Sequence, residues 1–213
     1  MISAPTAVAA MVVASSAAIA LRPRGSRALT SRDVVAGAAL VAIAAALLLG
    51  MGRVPKYAHG PLRLYTNDVS GDENSQQIAD PYTLTHVTHG ILFYGLLHLV
   101  ARGTPLAMRG LAALAIESTW EVVENTDAVI ERYRAETMAQ GYYGDSVVNS
   151  IGDIAAMGAG FWIAAWLPVW ASAAIAGGLE LLLLVWIRDN LTLNVLMLLV
   201  PLERVRRWQQ QGA

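Results

Sequence analysis

What most constrains this chain is a series of long apolar runs, three of which carry ionisable residues at one depth. Runs at 4–21, 34–51, 82–101, 106–123, 147–166 and 171–187 each hold 17 to 20 residues. That is near the length an α-helix needs to cross roughly 30 Å of hydrocarbon. Hydrocarbon offers backbone groups no partner, so the helix is the state such runs must take. A further stretch, 191–202, is apolar but short: a tilted seventh span, a re-entrant piece or an interfacial helix. The expected fold is all-α, a polytopic transmembrane bundle of six to seven spans forming one domain over residues 1–213.

Composition agrees, with 55% hydrophobic and 15% charged residues. A net charge of −1 gives no basic surface for nucleic acid, so membrane lipid is the expected surrounding. Cysteine is absent, which removes disulfides, thiolate nucleophiles and Cys metal sites. No Lys or Arg precedes the first run, and Arg22, Arg24, Arg27 and Arg32 follow it. A retained first span with its N-terminus outside is therefore expected, in a bacterial inner membrane. Arg102 and Arg109, and the C-terminal Arg204, Arg206 and Arg207, mark further cytoplasmic positions by the same rule. Loops 53–81 and 124–144 then face the periplasm. The last Arg group sits inside only if 191–202 crosses. Asp80-Pro81 reads as a helix start, with Asp80 as cap, and Asp145 reads as a cap of the fifth run.

Ten polar residues fall near one face of the bundle: His86 and His89 at the start of the third run; Glu117, Glu121, Glu124 and Asn125 toward the end of the fourth; and Asp145, Asn149, Ser150 and Asp153 at the start of the fifth. Consecutive spans alternate direction, so these three ends open on one side. His86 and His89 are i, i+3; Glu117, Glu121 and Glu124 are i, i+4, i+7; Asp145, Asn149 and Asp153 are i, i+4, i+8. Each set makes a stripe on one helix face. A charge at mid-bilayer costs roughly 2.5–3.5 kcal/mol, so stripes at a common depth must turn toward one another. Each also has a structural reading: the histidines as hydrogen-bonding glue, Glu121 and Glu124 as a solvated helix end, Asp145 as a cap. Glu180 and His98 fall outside the set. Gly152, Gly158 and Gly160 read as close helix-packing positions.

The candidate catalytic residues are His86, His89, Glu121, Glu124, Asp145, Asn149 and Asp153. Of these, His86, His89, Glu121, Asp145 and Asp153 are candidate metal ligands. Two imidazoles with carboxylates and no thiolate suit Zn, Mn or Fe, and carboxylates alone suit Mg. Neither an H-E-x-x-H nor an E-x-x-H pattern occurs, and there is no Gly-rich phosphate loop or G-x-S-x-G elbow.

The segments DPYTLTHVTHGILFYGLLH, IESTWEVVENT and GYYGDSVVNSIGDIAAMGAGFW resemble an uncharacterised family of alphaproteobacterial inner-membrane proteins over roughly residues 60–205. More distantly, Asp80, His86, Glu121 and Asp145-x-x-x-Asn149-x-x-Gly152 are similar in order to VanZ-like membrane proteins, with His89 and the W-E-x-x-E-N segment as departures. That resemblance implies a shared scaffold and an envelope or lipid-related role. The expected function is a membrane hydrolase or transferase, possible metal binding included, acting on lipid or envelope precursors. The alternatives are a proton- or cation-coupled transporter and a non-catalytic accessory subunit. An enzyme needs a dead-ended cluster, whereas a transporter needs polar residues continuing to the far face.

Overall fold

A computed structural model of the protein describes residues 1–20, 29–137 and 139–211. Every regular element among them is a helix: α1 (Ala4–Ala20), α2 (Ser31–Gly50), α3 (Thr83–Val100), α4 (Leu106–Glu124), α5 (Asp127–Glu136), α6 (Val147–Trp166), α7 (Val169–Trp186), α8 (Leu191–Leu199) and α9 (Glu203–Gln210). Local chemistry sets their starts. Thr30 and Asp33 close a capping box on α2, satisfying two donors that a helix N-terminus otherwise leaves unpaired. Asp80 accepts from the amides of Tyr82 (2.8 Å) and Thr83 (3.3 Å) at the entrance to α3. Ser146, rather than Asp145, caps α6 by accepting from the Asn149 amide at 3.2 Å. The hydroxyl is the side chain that can fold back there, because Asp145 is held by other partners.

α3 and α6 form the closest pair in the bundle. At their crossing a Cβ on Gly160 would overlap the Val87 carbonyl, and one on Gly90 would meet Phe161 N at 2.5 Å. Only hydrogen at these two positions lets the backbones touch. Gly152 packs as tightly, but against the Ile78 carbonyl of the preceding loop, and a Cβ on Gly158 would meet nothing within 4 Å. Of the three expected packing glycines, Gly158 is thus not one. Below the crossing, Ala113, Met157 and Phe161 make an apolar core with Phe93 and Tyr94. A second core joins α1, α2 and α4 through Met11, Leu40, Ala44, Leu111 and Val122.

The ends of the helices sort into two sets. The Val147 amide bonds Val54 O (2.9 Å) and the Ser146 amide bonds Ser75 O (2.9 Å). Those bonds bring the end of α2, the loop before α3 and the start of α6 together. The Tyr82 hydroxyl donates to Asp189 at 3.2 Å, which adds the end of α7. The turn at 101–105 and the α6–α7 joint lie at the other end. The Arg-bearing connection through Arg22, Arg24 and Arg27 falls outside the described residues.

α2, α6 and α7 are long and apolar enough to cross a membrane, with hydropathies of 2.3, 1.3 and 1.8. α7 buries only Ser172 and Leu183 and leaves Val169, Leu181 and Val185 exposed. An apolar helix turned outward marks a membrane-associated protein. The short stretch at 191–202 is not one helix of spanning length. α8 has nine residues, a rise of about 13 Å, and α9 leads the chain back until Gln209 Nε2 donates to Asp189 at 3.1 Å. Arg206 bonds the Ala135 carbonyl, so the C-terminal arginines sit at the same end as α5, not at the opposite one. The segment 124–144, expected as loop, contains α5, whose Ile130 and Tyr133 are buried one turn apart.

Candidate functional site

Glu117 is the hub. Its Oε1 lies 2.6 Å from His86 Nδ1 and 3.1 Å from His89 Nδ1. One turn of α3 separates the two imidazoles, so one carboxylate on α4 reaches both. A carboxylate only accepts, so this bond places a proton on each Nδ1. His86 Nδ1 is also 3.5 Å from Glu121 Oε1, and its Nε2 is 3.8 Å from Asp153 Oδ2. Glu117 and Glu121 are fully buried, and Asp153 and His86 nearly so. Neither oxygen of Glu121 has a hydrogen-bond partner, nor do Glu117 Oε2 and Asp153 Oδ1. Buried acceptors are rarely left so, and four in one cluster point to a bound species. His86, Glu121 and Glu124 offer ligand atoms all within 4.8 Å of one another, as do His86, His89 and Glu117.

Asp145 sits at the upper edge in a fixed frame. Asn125 donates Nδ2 to its Oδ2 (2.6 Å) and accepts its amide (2.7 Å), while the Tyr142 hydroxyl donates to Oδ1 (3.0 Å). Burial raises the Asp145 carboxyl above the ordinary range, opposed by these donors. Burial likewise lifts Asp80 to about 6, with the charge of Asp145 adding to it.

These groups face a cavity of about 360 Å³, within the range of small-ligand sites. Its polar wall is His86, His89, Glu124, Asp145 and Asp153, and its apolar wall is Phe93, Ile116, Trp120, Leu191 and Val195. Five of the ten polar residues named from the sequence therefore line it, and Glu117 and Glu121 sit behind His86. Asn149 and Ser150 stand apart. Asn149 donates to the Gln77 carbonyl at 3.0 Å, tying α6 to the loop, and Ser150 is buried beside it without a side-chain partner. Asn125 acts through Asp145.

The loop before α3 is polar in sequence, yet Asn74, Ser75, Gln76 and Gln77 are buried. Gln76 Nε2 bonds Gly144 O at 2.7 Å and the Ser146 hydroxyl bonds Gln76 O at 3.0 Å. With Tyr142, this loop roofs the cavity. Tyr82 and Tyr133 also line it, and no spacing in the sequence tied them to it. Glu180, set apart from the cluster, has a role of its own. It accepts from the amides of Leu191 and Thr192 and from the Thr192 hydroxyl, capping α8 where the helix dipole favours a negative charge.

Comparisons with known proteins place the chain. Residues 48–211 match the family described as "Protein of unknown function (DUF2585)". The chain is 53% identical to a UPF0314 protein of Paracoccus denitrificans over 170 residues, covering 80% of this chain and 88% of the relative. It is 48% identical to one of Brucella anthropi over 80% of this chain and 87% of the relative. It is 46% identical to one of Sphingopyxis alaskensis, covering 82% and 93%. No solved structure matches. The match runs from the end of α2 through α9, spanning the whole cluster, and the chain belongs to the DUF2585/UPF0314 family of alphaproteobacterial proteins.

Proposed function

We propose that the protein is a multi-pass inner-membrane hydrolase or transferase acting on lipid or envelope-precursor substrates at the periplasmic side. The observation that carries this reading is the set of fully buried carboxylates around His86 with acceptor oxygens left unpartnered. In this reading α1, α2, α3, α4, α6 and α7 cross, and the Arg-rich 22–32 region and Arg102 mark the cytoplasmic end.

The donor set fits a divalent cation, Zn, Mn, Fe or Mg, held by His86, Glu121 and Glu124 with Asp153 alongside. Such an ion polarises a carbonyl or phosphoryl oxygen or lowers the pKa of a bound water. Glu117 holds His86 in one tautomer and orientation, the usual outer partner of a metal-binding imidazole. It does the same for His89, whose Nδ1 is engaged and whose Nε2 is left to accept a proton as general base. Phe93 stacks on the His89 ring, centroids 5.7 Å apart, and limits its rotation. Asn125 and Tyr142 fix Asp145 at the rim.

Below the cluster the Gly90–Gly160 crossing and the Ala113, Met157 and Phe161 core close the way inward. A dead end supports an enzyme over a proton- or cation-coupled transporter. The order of Asp80, His86, Glu121 and Asp145, similar to VanZ-like proteins, supports an envelope role. The test is profiling of lipids and envelope precursors in a deletion strain complemented with wild type, His89→Gln or Glu121→Gln. Both variants should leave the deletion's profile unchanged while accumulating as folded protein. Restoration of the wild-type profile by both would refute the catalytic reading and leave the accessory role.

A further inference from the structure

The two walls of the cavity differ in more than polarity. The residues that roof it toward the loops are buried: Ser75 is 8% exposed and Tyr142 4%. Two residues of its apolar wall are half open to the outside instead, Ile116 on α4 and Val195 on α8, each 43% exposed. Ile116 lies eight residues before the end of α4, about 12 Å along the helix. In the topology proposed above α4 crosses, and at that depth its outside is hydrocarbon, not water. α8 packs on α5, and Arg132 holds its far end through the Leu198 carbonyl at 3.1 Å. Its near end is held by Glu180 and Asn190. The helix is pinned at both ends, and Val195 at its middle borders the opening beside α4.

We propose that the substrate is a membrane amphiphile that reaches the site sideways between α4 and α8, one hydrocarbon chain lying along Phe93, Ile116, Trp120 and Val195. This inference rests on the enzyme reading above and gives its lipid substrate a route of entry. A water-soluble substrate meets a buried roof on one side and an apolar wall on the other. An amphiphile in the outer leaflet meets an apolar opening at chain depth and a polar cluster at headgroup depth. Its polar head then lies against His86, His89 and Glu124 without crossing water. The chain passes from one hydrocarbon surrounding to another, so it positions the headgroup rather than adding a transfer energy.

The test uses the full chain in nanodiscs containing phosphatidylglycerol with a photoactivatable diazirine midway along one acyl chain. Crosslinked residues are mapped by mass spectrometry, and metal content is measured on the same samples. Labels are expected on Phe93 and Trp120 inside the cavity as well as on lipid-facing Val185. Val195→Trp fills the opening and should cut the Phe93 and Trp120 labels at least about tenfold while leaving the Val185 label and metal content unchanged. Labels on Val185 alone, or cavity labels that persist in Val195→Trp, overturn the inference. Loss of metal from the wild type would instead count against the site reading and leave the crosslinking result to judge the lateral opening alone.

Discussion

Gly160→Ala is the sharpest test of how the site is positioned, and Gly158→Ala is its internal control. The two residues are two apart on α6, and both read as packing glycines from sequence. At Gly160 the added methyl would overlap the Val87 carbonyl, with Val87 C at 2.9 Å and Val87 Cα at 3.1 Å. These are backbone atoms of α3 and cannot rotate away. Ordinary carbon contacts lie near 3.5–4.0 Å, so the helices must part by about 1 Å. Overpacking of this kind costs about 1–3 kcal/mol, and with no side chain to yield the upper figure applies. About 3 kcal/mol corresponds to a fall of roughly 6–12 °C in a chain of this size. Parting α3 from α6 also moves His86 away from Asp153. At Gly158 the methyl enters open space and gains helix propensity of up to about 1 kcal/mol over Gly, so its melting point should hold or rise. The assay is thermal melting in detergent followed by size-exclusion fluorescence. A Gly160→Ala protein melting at or above wild type would refute the backbone contact that sets the α3–α6 geometry.

Burial lifts Asp189 to about 6 from 3.8, against donors from Asn190, Tyr82 and Gln209. A carboxyl whose folded pKa is raised stabilises most below 3.8, and that contribution, up to ~3 kcal/mol, is lost as pH rises through 6. Asp189→Asn should therefore flatten the fall in melting temperature between pH 4 and 7, and an unchanged slope would exclude Asp189 as its source. Asn125→Ala removes both bonds to Asp145 and should cost about 2–3 kcal/mol; a melting point within 1 °C of wild type, on the order of 0.3 kcal/mol, would show the pair to be dispensable. In the cysteine-free chain, Cys at Asp72, Gln140 and Arg204 should all react with an impermeant reagent from the periplasm and Cys at Gly103 should not. Labelling of Arg204→Cys from the side opposite Asp72→Cys would return 191–202 to the membrane.

The cluster was legible because its residues sit at helical spacings inside apolar runs, and a charge in such a run has few places to go. His86, Glu117, Glu121 and Asp153 needed only alternating helix direction to be brought together. α5 was missed although Ile130 and Tyr133 mark one face, since ten residues with five charges carry little apolar signal. The roof was missed because Gln76 Nε2 donates to Gly144 O and the Gln77 carbonyl accepts from Asn149 Nδ2, partners far along the chain with no local periodicity. α8 was ambiguous by length alone; what settles its path is the Asp189–Gln209 bond and the Glu180 cap, both tertiary contacts. That bond and the Arg206–Ala135 contact put the C-terminal arginines at the α5 end of the bundle.

The central claim, that buried carboxylates around His86 hold a divalent cation, is met most directly by elemental analysis of the purified protein. Wild type should carry about one Zn, Mn, Fe or Mg per chain after gel filtration. Glu121→Gln, which keeps the shape and removes the charge of a carboxylate with no hydrogen-bond partner, should lose most of it while still eluting as folded protein. A wild type free of metal, whose melting point moves with none of the four ions, would contradict the claim.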